Sequence, residues 1–391
     1  MAITYAVSTS AIFINSFNMS NNTQPTNDYK NNLNEYYSRY GGFWVYPELL
    51  DFCYLVNPYF KKSKIIDEME ANFRTLVSEY PAGMTVNSAL ASECWGINSE
   101  YIVPGNGAAE LIKILIEDLE GKLGIIRPTF EEYPNRFDKN RLEVFIPSNE
   151  DFRYDENDLI DYFGRHPVDT ILLINPDNPS GNFVSKSGLL TLADWCLAKG
   201  VKLILDESFV DFSVGFEHNS CLSNKILERY HNLTVIKSIS KSYGVPGLRL
   251  GILCSSDTDL IHSMKKRVSI WNINSFAEFF MQIYPKYRQD YISACNHFIE
   301  TRDEFEHNLK KIPFIRVMPS QANYFFIEVL PPYSPTELCG RLLKEHNILA
   351  SACLAKKGIT PDRYMRIAVR NKADNNRLAQ ALMSFFNHKH L

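Results

Sequence analysis

No apolar run in the 391 residues approaches the ~20 needed to cross a bilayer, which argues against a membrane-spanning helix. Basic charge is not in excess: 41 Lys and Arg stand against 45 Asp and Glu, for a formal net charge of −4. Such a balance offers nothing to follow a phosphate backbone, so nucleic acid is not an expected partner. The eight cysteines include no Cys-x-x-Cys pair and none has the His spacing of a zinc site, so no metal is expected. Scattered through a chain of this size, they point to reduced core residues and a reducing cytoplasm. The apolar patch at 11–14 is too short for a signal core, and no Lys or Arg precedes it before Lys30. The Asn-rich stretch that follows reads as a polar arm, placed at residues 1–35.

What is present is a globular composition, 45% hydrophobic, 22% charged and 13% aromatic, enough to fill two or three cores of ~150 residues. Short Ile-, Leu- and Val-rich runs at 123–126, 171–174, 203–205, 234–236 and 250–253 alternate with amphipathic stretches. Their continuous apolar character predicts parallel strands covered on both faces. Ser185 is expected to cap a helix that Gly200 ends, and a second helix is expected to open after Gly107. An α/β fold with its site at the carboxyl ends of the strands follows. After residue 284 the pattern changes to a long charged helix at 286–310, then mixed strands and helices, which predicts a smaller α+β domain. The expected division is an N-terminal segment of that small domain at 36–60, a large domain at 61–284, and the rest of the small domain at 285–391.

Four signals lie in order along the large domain. In Pro104-Gly105-Asn106-Gly107-Ala108-Ala109-Glu110, small residues open a helix whose free N–H groups and dipole suit an anion. In Asn175-Pro176-Asp177-Asn178-Pro179-Ser180-Gly181, two Asn-Pro steps break a strand and aim amides at the sheet's end. Asp206 ends an apolar strand where open α/β sheets bind ligands. In Ser238-Ile239-Ser240-Lys241-Ser242-Tyr243-Gly244, continuing to Arg249, a lysine lies among hydroxyls. Desolvation there can free its amine for covalent chemistry, while Ser238 and Arg249 can donate to a phosphate.

A phosphate cradle, a deprotonatable lysine, an acid for a ring nitrogen and an amide for a ring hydroxyl are the requirements of pyridoxal 5′-phosphate. From about Tyr40 to its end the chain resembles the fold-type-I pyridoxal phosphate enzymes, the aminotransferase superfamily. Within it the likeness is to the histidinol-phosphate aminotransferase and threonine-phosphate decarboxylase group. The resemblance implies a mainly parallel, seven-stranded sheet with helices on both faces, and Lys241 as the Schiff-base lysine. It further implies Asp206 on the pyridine nitrogen and Asn178 on the ring hydroxyl. Gly107, Ala108, Ala109, Ser238, Ser240 and Arg249 would hold the phosphate, and Phe130 would stack on the ring. Tyr80 would reach the cofactor of a second subunit, so a homodimer is implied. Asn57, Tyr40 and Arg366 would line the place of a small amino substrate, with Arg366 clamping its anion.

Three positions depart from the group's pattern. Phe209 stands where many members carry a tyrosine, and Tyr40 replaces a histidine common among the decarboxylases. Near Ser351 a second anion-binding arginine is usual and none is present, so either the substrate carries its anion elsewhere or Lys356 or Lys357 substitutes. The implied reaction is transamination of a phosphorylated or phosphonate-bearing amine or amino acid, with decarboxylation of serine or threonine phosphate as the alternative.

Overall fold

The computed structural model describes residues 33–54, 56–60 and 64–387; most of the expected arm, 1–32, lies outside the described residues. A short strand, β1 (Leu50–Asp51), precedes seven that build the main sheet. These are β2 (Ile102–Asn106), β3 (Leu123–Ile126), β4 (Leu142–Phe145), β5 (Thr170–Ile174), β6 (Lys202–Asp206), β7 (Leu233–Ser238) and β8 (Leu250–Cys254). Their order across the sheet is β2-β8-β7-β6-β5-β3-β4. The strands from β7 to β4 run parallel.

Side chains alternate between two apolar layers, as the pleat requires. Ile171, Leu173, Leu203 and Leu205 pack in one core, and Leu172, Ile174 and Ile204 in another on the opposite face. Each fully buried Leu or Ile contributes about 1.5–3 kcal/mol. The helix Lys186–Lys199 covers the first face; the Ser185 hydroxyl accepts from the Gly188 amide at 3.2 Å, and Gly200 ends it at φ 69°. The helix Ala108–Glu117 covers the second.

One of the strands expected to be parallel differs. β8 runs antiparallel to both neighbours, β2 and β7. An apolar run has the same composition in either direction, so its sense is carried by the connection and not by its residues. β2 itself contains Pro104 and Gly105, the first residues of the stretch expected to open a helix. A proline is tolerated there because β2 is an edge strand of the sheet.

Beyond the sheet, the helix Arg288–Leu309 leads to β9 (Ile315–Val317), β10 (Tyr324–Val329), β11 (Ile348–Leu349) and β12 (Tyr364–Ala368). β9, β10 and β12 form an antiparallel sheet, and the helices Pro335–His346 and Lys372–Asn387 share its separate core. The N-terminal segment joins this part: β1 pairs in parallel with β11, and Phe52 is buried there with Phe305, Phe325 and Leu349. The Phe52 amide donates to the Leu349 carbonyl and its own carbonyl accepts from Ala368. All eight cysteines are free and buried. Among the described residues no helix is long and apolar enough to cross a membrane.

Candidate functional site

β5, β6 and β7 end side by side, with Ile174 opposite Asp206 and Asp206 opposite Ile236. Because β8 is antiparallel, its first residues lie at that same edge, where Ser238 faces Gly251 and Asn106 faces Leu250. The chemistry-bearing loops therefore converge on one rim. A cavity of about 250 Å³ opens there, lined among others by Ala108, Ala109, Phe130, Asp206, Ser238, Ser240, Lys241 and Arg249.

The start of the helix Ala108–Glu117 is built for close approach. Gly107 sits at φ 74°, and a Cβ on it would lie 2.4 Å from an Arg249 guanidinium nitrogen. On the other side, a Cβ on Gly251 would lie 2.3 Å from the Ala108 amide nitrogen. Gly251 is closed to a side chain by backbone and Gly107 by its positive φ, so the helix-start amides and the guanidinium lie together as one cradle of donors, the arrangement that suits a phosphate. Arg249 is itself left-handed, at φ 56°, where the chain turns into β8.

Asp206 is buried and fixed. One carboxylate oxygen accepts from the Ser208 amide at 2.8 Å, the other from the Tyr133 hydroxyl at 2.8 Å. Burial, followed by the adjacent Asp206 charge, raises the Tyr133 phenol well above its ordinary pKa, so it stays a donor. Lys241 lies in the short helix Ile239–Ser242, with Nζ 4.5 Å from the Phe209 ring centre. Burial pulls its pKa down; Asp206 opposes this, while Arg366 and Arg249 add to it. The helix is anchored from beneath by buried Asp211. That carboxylate accepts from the Ser242 hydroxyl at 2.8 Å and the Tyr291 hydroxyl at 2.6 Å, and pairs with buried Lys237 at 2.6 Å.

Asn178 and Arg366 meet across the two sheets: Arg366 Nη1 donates to Asn178 Oδ1 at 2.8 Å, and Nη2 to the Cys53 carbonyl at 3.0 Å. This contact fixes the amide orientation of Asn178 and leaves its Nδ2 as the donor for a ligand. The Arg366 Nε is buried with no partner among the described residues.

Gly107, Asn178 and Arg366 do not line the cavity themselves, and three further predicted residues, Asn57, Tyr40 and Tyr80, are also absent from its wall. Asn57 is fully buried, but its Nδ2 turns toward Cys295 Sγ at 3.9 Å and its Oδ1 accepts from the Tyr59 amide. Its link to the site is through backbone, its amide donating to the Lys241 carbonyl at 2.9 Å. Tyr40 is 84% exposed on the surface. Tyr80 is 80% exposed and lies against Trp271, with ring centres 4.6 Å apart. The structure adds Tyr54, Val56 and Ser208 to the wall, and Tyr133 behind Asp206. Ser208 is two residues beyond Asp206, the spacing of a side chain accepting from backbone, and that signal was available in sequence.

The profile of the family described as aminotransferase class I and II matches residues 74–382. The CMP-5'-(3-aminopropyl)phosphonate synthase of Streptomyces rubellomurinus is 32% identical over 88% of this chain and 54% of that relative, so the chain spans about half of its length. The L-serine phosphate decarboxylase of Sulfurospirillum multivorans is 29% identical over 86% of this chain and 88% of its own. A solved structure of a decarboxylase from Sulfurospirillum multivorans superposes with a TM-score of 0.81 at 26% identity, covering 92% of this chain and 97% of the other.

Proposed function

Because the chain belongs to the aminotransferase class I and II family, we propose that it decarboxylates a small amino acid whose side chain ends in phosphate or phosphonate. The cofactor is pyridoxal 5′-phosphate, and the cavity fits it. The cradle of Gly107, Ala108, Ala109 and Arg249, with Ser238 and Ser240, would hold the phosphate. Asp206, held by two donors, would face the ring nitrogen, Asn178 Nδ2 the ring oxygen, and Phe130 one ring face. When bound, the group supplies an electron sink for the bond broken at the substrate's α-carbon.

The remaining work falls to side chains. Lys241, with its amine biased toward the neutral form, would hold the cofactor's aldehyde and afterwards move a proton at the α-carbon. Arg366 would take a substrate anion through its unpartnered Nε and so fix rotation about the α-carbon. That rotation decides whether carboxylate or α-hydrogen is lost. Transamination is the first reading from sequence, and Lys241 is equally suited to it. One observation carries the choice of decarboxylation: the likeness to the L-serine phosphate decarboxylase runs over nearly all of both chains. The phosphonate in the other relative's name supports the substrate class.

In this reading the active unit is a cytoplasmic homodimer in which Tyr80 reaches toward the second copy. The exposure of Tyr80, Ile270, Phe73 and Val77 supports this. The test of the reaction is to incubate holoenzyme with O-phospho-L-serine, O-phospho-L-threonine or 2-amino-4-phosphonobutyrate. Carbon dioxide and amine transfer to a keto acid are measured side by side. Release of carbon dioxide without any keto acid is expected; amine transfer that requires the keto acid, with no carbon dioxide, would overturn the reading.

A further inference from the structure

Lys356 comes to the site from the loop after β11. Its Nζ donates to the Thr129 carbonyl at 2.5 Å, next to Phe130 in the cavity wall. Gly358, at φ 84°, presses this loop onto the opposite segment; a Cβ there would lie 2.8 Å from Arg127 Cβ. Arg366 is the nearby cation. Burial first, then the Arg366 charge, pulls the Lys356 ammonium down to about 8.

Neither cation forms an ion pair among the described residues. Lys356 has one neutral acceptor, the Thr129 carbonyl, and Arg366 has two, Asn178 Oδ1 and the Cys53 carbonyl. Arg366 Nε has none. Cys353, Glu131 and Asp177 oppose the fall in the Lys356 pKa less than burial and Arg366 drive it, and burial pushes the Asp177 carboxyl up to about 7, so near neutral pH it supplies only part of a counter-charge. Two like charges drawn partly out of water without a counter-ion are costly. A dianionic ligand between them removes that cost.

We propose that Lys356 and Arg366 together form the subsite for the substrate's terminal phosphate or phosphonate, with Lys356 the residue that makes the site selective for a dianion. The assignment rests on the phospho-amino-acid reading above. A carboxylate that must leave as neutral carbon dioxide is slowed by a double clamp, since ground-state binding lost in the transition state raises the barrier. The group that stays behind is the one that gains from the clamp.

The test uses cofactor-loaded enzyme, so that the cofactor's own phosphate fills the Gly107–Arg249 cradle. Inorganic phosphate and methylphosphonate are titrated by calorimetry into the wild type and into Lys356→Met, Lys356→Arg and Lys357→Met. A charge-assisted hydrogen bond predicts binding weaker by roughly 10- to 100-fold in Lys356→Met. Lys356→Arg should bind within a few-fold of wild type, and exposed Lys357 should not matter. With turnover, the same factor is expected in KM for the phospho-amino acid and not in kcat. Equal binding by wild type and Lys356→Met, a loss that follows Lys357→Met instead, or no dianion binding by the wild type would each overturn the proposal. If no phospho-amino acid releases carbon dioxide, the reaction assignment fails while the titration still decides the subsite.

Discussion

Asp177 lies one residue before Asn178 and is 2% exposed, its carboxyl accepting from the Asn178 amide at 2.9 Å and the Ser180 hydroxyl at 2.7 Å. Burial outweighs these bonds and raises its pKa from 3.8 to about 7. The folded state therefore binds this proton more tightly than the unfolded chain, and stability falls as pH rises from about 4 through 7. Asp177→Asn should melt higher than wild type at pH 8, with the difference closing at pH 5, as followed by circular dichroism. The loop that holds Asp177 is legible in sequence because Asn-Pro and Ser-Gly steps act on their own backbone. Tyr133 is not legible in the same way. Its role depends on a hydroxyl meeting a carboxylate 73 positions away, and nothing local to Phe130-Glu131-Glu132-Tyr133 encodes that distance.

Between elements, the same contrast holds. The caps of the helix Lys186–Lys199 are local and were readable as Ser185 and Gly200. The antiparallel sense of β8 was not, yet it brings Arg249 to the rim beside Gly107. Gly107→Ala forces a side chain into a backbone conformation, φ 74° and ψ 163°, that glycine alone adopts readily, at about 1–3 kcal/mol, and into the space of the Arg249 guanidinium. Cofactor affinity should fall by about tenfold or more, read from absorbance titration of the apoenzyme. The backbone strain should also lower the urea midpoint, whereas the clash adds little to that shift because Arg249 is exposed and its tip can yield.

For the whole molecule, the exposed apolar residues Phe73, Val77, Tyr80 and Ile270 carry the expectation of a second copy. Sedimentation equilibrium should return twice the chain's 45.0 kDa. Tyr80→Ala should weaken cofactor binding only in the dimer, with mixed dimers intermediate. The change of pattern after residue 284 is the sequence signal for a smaller part, and the antiparallel strands β9, β10 and β12 follow it. Residues 36–60 are expected to belong with the smaller part, but sequence does not name the strand partner: β1 has two residues, and its pairing with β11 in a two-stranded sheet spans most of the chain.

That segment joins two things otherwise separate. At Phe52 it is hydrogen-bonded to Leu349 and Ala368, beside the strand that bears Arg366; at Asn57 it is hydrogen-bonded to the Lys241 carbonyl. Tyr54 and Val56 lie between, in the cavity wall. One stretch of sequence is thus bound both to the strand that carries Arg366 and to the main chain of Lys241, so substitutions at Phe52 or Asn57 disturb the setting of both side chains at once.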